Sequence, residues 1–298
     1  MKYYPVPKIT STIILVFIFV FTSPRLFGQN NVNPSNTKET SKEWSSLLDE
    51  TLSQWEVWTG VPEPSVKNLP PNYKKKGQGK NKTPIGLGDP MGIFKVTKEA
   101  NGELVLNISG EIYAGLTSKK EFSNYHLTLL FKWGEKKYKP RLNRKRDNGL
   151  LYHCHGEHGA FWNVWKSCLE YQIQEGDFGD LYTLAGTTAT IPVDDEGKWK
   201  PDSEKLKKTG RIIRRVDAES PYGEWTRVDL YVVGDSAVHV TNGEVVMAIT
   251  NAKTKDGNKL DAGEIQLQSE AAECYMKDIN IRPISEFPNW IKKETGFQ

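Results

Sequence analysis

The sequence predicts an all-β protein built as a two-sheet sandwich or jelly roll. From residue 91 onward, short segments of alternating apolar and polar residues follow one another, whereas long amphipathic helical patterns are scarce. A turn is indicated at Asn101-Gly102, and hairpins are indicated at Gly234-Asp235 and Asn242-Gly243. Many short strands with regular turns in a chain of 298 residues are typical of two packed antiparallel sheets.

The first 28 residues have the layout of a secretory signal peptide. Lys2 and Lys8 precede the apolar run at 13–21, and small and helix-breaking residues follow it as far as Gly28. We therefore predict cleavage after Gly28 and a mature protein in the periplasm or outside the cell, without stable membrane insertion. Because Arg25 is atypical of an export signal, an uncleaved anchor is the alternative.

The charge of the mature chain gives no sign of a polyanionic partner. The whole chain has a formal charge of +3, and removal of residues 1–28 takes away three basic residues and no acidic one. The remaining charge is zero, so a nucleic acid is not an expected partner. Residues 29–43 are polar and predict a flexible leader, and fair helical spacing in residues 44–58 predicts a short helical N-terminal segment.

Strands are predicted from the period-2 alternation of apolar residues, and they come in a regular series along the chain. In the third of them, Leu127, Leu129 and Phe131 alternate with more polar neighbours such as Lys132. The predicted strand regions are 92–108, 111–118, 125–133, 148–156, 168–174, 225–249, 263–269 and 274–284.

The strand at 168–174 divides its side chains in an unusual way. Alternation places Tyr171 and Ile173 on one face and Glu170 and Gln172 on the other. The first pair suits a core. The second pair offers one acid and one amide, and we predict that it lies on a concave, open face; a solvated outer face is the alternative.

Histidines and cysteines leave several possibilities open. His153 and His155 lie two residues apart on a predicted strand, so they share a face that suits a divalent metal, a sugar, or neither. Three cysteines, Cys154, Cys168 and Cys274, are an odd number for an exported protein. A bond between the first two would require a bulge or an offset in the strands, and free buried thiols are the other possibility.

The order and spacing of these segments resemble the 3-keto-disaccharide hydrolase domain family over about residues 44–284. The shared pattern includes an E-x-Q-I strand at 170–173, a G-x-x-Y at 179–182, an N-G turn at 242–243, an I-x-L-Q strand at 265–268 and a closing N-I motif in which Asp278 occupies the Asn position. This sequence departs from the family with Asp147 in the Asn-Ser-Gly motif, His153 in place of Arg, Thr226 in place of Asn and Asp278 in place of Asn.

The resemblance implies a concanavalin A-like or glucanase-like jelly roll whose concave sheet holds a carbohydrate. It predicts one domain at 44–285, followed by a C-terminal tail at 286–298. It also implies an exported enzyme that cleaves glycosides already oxidised to a ketone at C3. The ketone acidifies the hydrogen at C2, so a base removes it, the C1 substituent leaves by elimination, and water adds afterwards.

Roles for individual residues follow from this chemistry. We predict Glu170 as the catalytic base, with His153 and Lys132 stabilising the enolate. A retaining mechanism with two carboxylates is disfavoured, because Gln172 stands where such enzymes place the second acid. Predicted substrate-binding residues are Gln172, His155, Asp147, Trp165, Asp180 and Gln268.

Two other functions remain open at this stage. The same fold hosts glycan-binding modules of the lectin type, which need only amides and aromatic side chains. A structural domain of an exported complex is the second. The cofactor is either absent or a divalent metal, for which His153 and His155 are the candidates.

Overall fold

The computed structural model describes residues 43–73 and 82–298, so the predicted signal peptide and almost all of the predicted leader lie outside the described residues. Within these two stretches, no helix has the length and apolarity needed to cross a bilayer. The regular secondary structure of the described chain is nearly all strand, as the alternation predicts, with one short helix near the end of the chain.

The strands are short and follow the predicted series, and their bounds are as follows. They are β1 (Ser45–Ser46), β2 (Trp55–Thr59), β3 (Gly86–Leu87), β4 (Phe94–Lys98), β5 (Leu104–Ile108), β6 (Ala114–Ser118), β7 (Tyr125–Lys137), β8 (Asp147–His155), β9 (Ser167–Gln174), β10 (Leu181–Leu184), β11 (Thr188–Pro192), β12 (Leu206–Lys207), β13 (Arg211–Ile212), β14 (Thr226–Val233), β15 (Ser236–Thr241), β16 (Glu244–Lys253), β17 (Glu264–Ser269) and β18 (Ala272–Pro283), and the helix is α1 (Asn289–Thr295).

Two sheets form a jelly-roll sandwich, which confirms the predicted fold class. One sheet has eight strands in the order β13-β10-β9-β8-β17-β6-β2-β3. The other has ten, in the order β12-β11-β16-β15-β14-β7-β18-β5-β4 with β1 paired to β18. Neighbours such as β8 and β9, or β7 and β14, pair antiparallel. Strands distant in sequence therefore become neighbours at the centre of each sheet.

The core lies between the two sheets and consists of the apolar side chains on the inner face of each alternating strand. Tyr171 and Ile173 of β9 are fully buried there, and Leu127 and Phe131 of β7 face them from the other sheet. Glu170 consequently points to the opposite face of its sheet, as the alternation predicts. The hairpin at Asn242-Gly243 is also confirmed, because both residues have positive φ (48° and 86°), as a type I′ turn requires.

The predicted helical N-terminal segment is wrong. Residues 44–58 instead form β1, a turn and β2, in which Trp55 is buried in the core and its strand pairs with β6. Asp49 holds the turn by accepting hydrogen bonds from the backbone N–H groups of Thr51 (2.8 Å) and Ser53 (3.1 Å). A sheet neighbour and a buried indole outweigh the weak helical propensity of a Ser- and Thr-containing segment.

The C-terminal segment is packed against the domain rather than a loose tail. Phe287 and Ile291 belong to the core cluster, and α1 lies against β16. Trp290 meets Tyr231 edge to face at 6.1 Å. This segment therefore covers part of the outer face of the ten-stranded sheet.

A bulge in β8 brings two cysteines together. The pairing of β8 with β9 shifts between Tyr152 and His155, and His153 takes a positive φ of 52°. As a result Cys154 lies beside Cys168, within hydrogen-bonding distance of its thiol, in a small apolar cluster. All three cysteines are buried free thiols.

Candidate active site on the eight-stranded sheet

Polar side chains cross the outer face of the eight-stranded sheet, which we call the site face. The register aligns them in rows that run perpendicular to the strands. The first row is Gln174, Asp147 and Glu270. The second is Gln172, Gly149, Gln268, Gly115 and Trp58, and the third is Tyr182, Glu170, Leu151, Gln266, Thr117 and Glu56.

Two glycines in the second row leave space above the backbone that neighbouring side chains occupy. A Cβ atom on Gly149 would overlap Glu170 Oε1 and lie 2.7 Å from Gln268 Oε1, so these two side chains lean over the bare backbone from either side. Gly115 lies beneath Gln266 in the same way, with 2.6 Å between its ideal Cβ position and the amide carbon. The absence of both side chains makes room for the polar groups at the centre of the sheet.

Three carboxyl groups meet at this place, and we call Asp147, Glu170 and Glu270 the acid cluster. Each residue is only 5% exposed. Arg141, from the loop before β8, forms ion pairs with Asp147 and with Glu270, the latter at 3.3 Å between Nη1 and Oε1. The cluster therefore holds more carboxyl groups than the guanidinium can neutralise, and the protein disfavours full ionisation.

The hydrogen bonds decide which carboxyl keeps its charge. Asp147 accepts from the amide groups of Gln172 (3.0 Å) and Gln174 (2.6 Å) as well as from Arg141. Burial raises its pKa, while Arg141, Gln174 and a hydrogen bond with Glu270 oppose that rise. Burial raises the pKa of Glu270 well above its ordinary value, and the charge of Asp147 and the hydrogen bond with it raise it further, so Glu270 is the protonated donor and Asp147 the carboxylate.

Glu170 is a different kind of acid. Burial raises its pKa well above the ordinary value, and the nearby Asp147 charge raises it further, while the neighbouring Gln268 amide acts in the opposite direction. No Lys or Arg ion pair to Glu170 occurs among the contacts of residues 43–73 and 82–298. A carboxyl of raised pKa without a cation, beside amides and a bare backbone, is suited to accept and return a proton.

A cavity of about 650 Å³ lies beside Tyr113 and Pro140, and the acids of the cluster themselves do not line it. Tyr113 lines it, and the Tyr113 side chain forms a hydrogen bond with Arg141. Pro140, next to Arg141 in the chain, also lines it. Burial raises the pKa of Tyr113, so its hydroxyl stays protonated. The cavity is therefore connected to the acids through Tyr113 and Arg141.

A family model for the 3-keto-alpha-glucoside-1,2-lyase-like domain matches residues 43–282, which is most of the chain. The chain belongs to this family. The match confirms the resemblance based on the strand motifs, and it supports a carbohydrate-related role. A comparison with curated proteins finds no match.

Several solved structures are similar to this lyase-like domain at low identity. One is a putative glycosyl hydrolase from Parabacteroides distasonis ATCC 8503, with 16% identity, 81% of this chain and 100% of that chain covered, and a TM-score of 0.44. Another is the carbohydrate binding module CBM66 from Bacillus subtilis, with 8% identity, 63% and 91% covered, and a TM-score of 0.39. Alginate lyase AlyC3 is a third, with 13% identity, 77% and 89% covered, and a TM-score of 0.38.

The lyase-like domain brings four of the predicted site residues together. Glu170, Gln172, Asp147 and Gln268 lie in adjacent rows of the site face. The prediction that this face is open is wrong, because these residues are almost entirely buried. Trp165 is buried, with only 1% of its surface exposed. Its ring stacks on that of Tyr113, with 6.1 Å between the ring centres, so it supports a residue of the cavity wall.

The histidines are not brought to the acids. Alternation through β8 predicts His153 on the face of Glu170, but the bulge gives that position to Cys154. His155 falls on the same side as His153 and donates from Nδ1 to the His153 carbonyl at 3.0 Å. Burial lowers the pKa of His153 to about 4, so it is neutral at pH 7. Within the two described ranges, no three His, Cys, Asp or Glu side chains are grouped as metal ligands.

Lys132 is also separated from the acid cluster. It belongs to β7 in the ten-stranded sheet, and its neighbour Phe131 occupies the core. Lys132 therefore points to the far outer face, where its Nζ lies 4.7 Å from the ring centre of Trp225 and 5.6 Å from that of Tyr275. The prediction that Lys132 lies near Glu170 is wrong, because alternation defines a face of one strand and not the sheet to which the strand belongs.

Asp180 lies at the edge of the same sheet, fully buried and fully paired. Its carboxylate accepts from Arg211 Nε at 2.7 Å and from Arg214 Nη1 at 3.2 Å. These bonds leave its oxygens occupied by the protein's own cations. The structure thus gives Asp180 a role in holding the loop after β9 to β13 and to the segment that follows β13, apart from the acid cluster.

Arg141 and Glu270 are the site residues that the sequence analysis missed. Glu270 follows Gln268 by two residues, so the alternation that pairs Gln266 with Gln268 also extends to it. Arg141 lies in a loop rich in Lys and Arg. No local pattern distinguishes it from its neighbours, and only the fold reveals its contact with two acids.

Proposed function

We propose that this protein cleaves 3-keto-glycosides by elimination, with Glu170 as the base. The observation that carries the proposal is a buried carboxyl of raised pKa that has no cationic partner and leans over Gly149 between two amide side chains. Paired, solvated carboxylates are common on protein surfaces, whereas a buried acid without a cationic partner is costly and is characteristic of acid–base chemistry.

The reaction needs one proton acceptor that also acts as a donor. The ionised Glu170 takes the hydrogen from C2, which the C3 ketone has made acidic, and the electrons form an enolate. The enolate then collapses, the bond from C1 to the leaving oxygen breaks, and Glu170 returns the proton to that oxygen. Water adds to the resulting double bond, which yields the 3-keto sugar. The raised pKa makes the Glu170 carboxylate a stronger base than an exposed carboxylate.

Arg141 and Tyr113 take the place that the sequence analysis assigns to Lys132 and His153. The Arg141 guanidinium is 16% exposed at its side chain and lies between the acids, and the Tyr113 hydroxyl is bonded to it. Both groups donate hydrogen bonds, which stabilise negative charge on an enolate oxygen. Gln172 Oε1 is buried with no donor among the residues described, so it is available to accept a sugar hydroxyl.

The test of this proposal is the variant Glu170→Gln on a panel of 3-keto-glycosides. We expect a loss of turnover on the order of a hundredfold or more, the usual contribution of a positioned general base. The control is Glu103→Gln, which removes a carboxyl bound to Lys277 on the outer face of the ten-stranded sheet and leaves the site face intact. Unoxidised glycosides should be unaffected by either protein, since their C2 hydrogen is not acidic.

The pH dependence gives a second measure of the same role. Because the pKa of Glu170 is raised, we expect kcat/KM of the wild type to increase with pH well above the ordinary range of a glutamate before it levels off. A profile that levels off near pH 5 would contradict a raised base. Near-normal turnover by Glu170→Gln would remove this residue from the mechanism. Sugar binding without turnover by the wild type would favour a glycan-binding module instead.

We also propose that the protein is exported. Support comes from the sequence alone, where a basic start, an apolar run and a polar leader follow in the order of a signal peptide. N-terminal sequencing of protein from its native host should find a start near Gln29. Recovery of Met1 would argue for an uncleaved segment.

A further inference from the structure

The cavity beside Tyr113 and Pro140 has features that acid–base chemistry does not require. Its volume of about 650 Å³ exceeds the space needed for a base and its ketone. Its walls come from the loop at 159–164, from residues 61–64, and from the segments at 111–113 and 139–140. Such a volume is in the range that proteins use for small ligands, so the cavity has room for a part of the substrate beyond the reacting ring.

Trp162 stands at this cavity in an unusual conformation. Its side chain is 65% exposed, although indole is among the most apolar groups of the chain. Its backbone and that of Asn163 both have positive φ (53° and 63°), which is energetically unfavourable for residues other than glycine. Strain of this kind persists only where the surrounding structure enforces it, and it is concentrated at functional sites.

The base of the loop is what enforces this conformation. Phe161 and Trp165 exchange two backbone hydrogen bonds of 2.9 Å, and Trp165 is buried beneath them. Trp58 Nε1 donates to the Asn163 carbonyl at 3.1 Å. The Trp162 ring itself stacks on Phe161, with 4.8 Å between centres and 22° between planes. One indole face is thus supported by the protein, and the loop holds the ring in place before any ligand arrives.

We propose that Trp162 forms a subsite for the leaving group, in which a pyranose or aromatic ring beyond the scissile bond stacks on the indole. Flat C–H and aromatic faces are the partners that indole prefers. The walls carry Lys82 and Lys139 as well as Glu63 and Glu111, and this balance of charge suits a neutral ring better than an anionic one. Tyr113 and Arg141 connect this cavity to the acid cluster, where the bond would break.

This inference rests on the proposed function only because the proposed reaction defines which part of the substrate is the leaving group. The test compares two 3-keto-glucosides that share the reacting ring, one with a glucose or phenyl leaving group and one with methanol. Trp162→Ala should lower kcat/KM about tenfold for the ring-bearing substrate, mainly through KM, and leave the methyl substrate unchanged. Trp162→Phe should recover most of the loss, because it restores an aromatic face.

The matched control is Trp290→Ala, which removes a half-exposed tryptophan on the ten-stranded sheet. It should affect neither substrate. An equal loss with both substrates, or no loss with either, would overturn the subsite. Glucose and phenyl leaving groups distinguish a sugar from a general aromatic preference, and either preference supports stacking on Trp162.

A binding measurement separates this inference from the proposed reaction. Free disaccharide or phenyl glucoside, added to the full-length wild type, should quench tryptophan fluorescence, and the quenching should disappear in Trp162→Ala. If the wild type turns over no 3-keto-glycoside but shows this quenching, the proposed function fails and the subsite stands. If turnover occurs and the quenching is the same in both proteins, the subsite fails and the proposed function stands.

Discussion

Two groups of charged residues lie on the same sheet, and they differ in the ratio of acids to cations. At the sheet edge, Asp177 and Asp180 meet Lys145, Arg211 and Arg214, with contacts of 2.7 to 3.2 Å to the nearest cations. At its centre, the acid cluster has Arg141 as its paired cation. With Asp217, which pairs with Arg214 at 3.1 Å, the edge group has as many acids as cations, whereas acids outnumber the cation at the centre.

The difference shows what each group is suited to do. Burial would raise the pKa of Asp177, but Lys145, Arg211 and Arg214 lower it overall, so the edge group stays charged and holds its loops together. In the acid cluster, burial raises the pKa values of all three carboxyls, and repulsion from neighbouring carboxyls raises those of Glu170 and Glu270 further. Balanced charge gives a fixed structure, whereas an excess of acids gives a proton that the protein can exchange.

The largest effect that we expect from the comparison is at the edge. Asp180→Asn leaves two guanidinium groups facing a neutral side chain in a buried position, and we expect the free energy of unfolding to fall by about 3 kcal/mol. Urea unfolding measures this change. Asp195→Asn, which breaks an exposed pair with Lys205, should have no measurable effect. If Asp180→Asn were equally harmless, the edge group would not be structural.

An intermediate effect is expected when each group loses an arginine. Arg141→Met removes a charge that lowers the pKa values of Asp147 and Glu270, so both values should rise further. Loss of this positive charge from the acid cluster should also disfavour ionised Glu170, so the acidic limb of the kcat/KM profile should move to higher pH. At pH 7 we expect a loss of about tenfold in kcat/KM, typical of a weakened acid–base site. Arg211→Met at the edge should lower the melting temperature and leave the profile in place. If the pH profile of kcat/KM shifted in both variants, the edge group and the acid cluster would not differ in function as proposed.

The smallest effect concerns stability and pH. The pKa of Glu270 is raised in the folded protein, so its contribution to stability is fully present below the ordinary value of 4.5 and is lost as pH rises through the folded pKa. Glu270→Gln cannot ionise and its amide still donates to Asp147. We expect the variant to be more stable than the wild type by about 1 kcal/mol or more at pH 8, and equal to it near pH 4.

Denaturation curves at a series of pH values test whether the stabilities of the variant and the wild type diverge as pH rises. Glu244→Gln, at an exposed position of β16, is the control and should follow the wild type at every pH. A variant that is less stable than the wild type at pH 8 would show that Glu270 is ionised and stabilising, as the acids of the edge group are.

The sequence predicts the orientation of a regular strand well. In β9, alternation alone correctly separates Tyr171 and Ile173 from Glu170 and Gln172, because the ladder on both sides of that stretch is unbroken. Alternation fails at His153, where one residue of left-handed backbone reverses the faces that follow. A bulge of this kind depends on the neighbouring strands and leaves no reliable mark in the local sequence.

Other parts of the site depend on contacts between distant segments. Lys132 has the right alternation but belongs to the opposite sheet, and the assignment of strands to sheets is a property of the whole topology. Arg141 reaches the acids from a loop, where no periodicity applies. Glu270 is the exception, since the same period that indicates Gln266 and Gln268 extends to it along the chain.

The bare backbone at Gly149 has a consequence for other members of the family. Since a methyl group there would collide with Glu170 and approach Gln268, the acid and the glycine form a matched pair across two strands. A relative that carries any larger residue at this position must hold its acid elsewhere or have none. This single position therefore offers a simple criterion for sorting uncharacterised family members into those that retain the geometry of a proton-transferring acid and those in which it is lost.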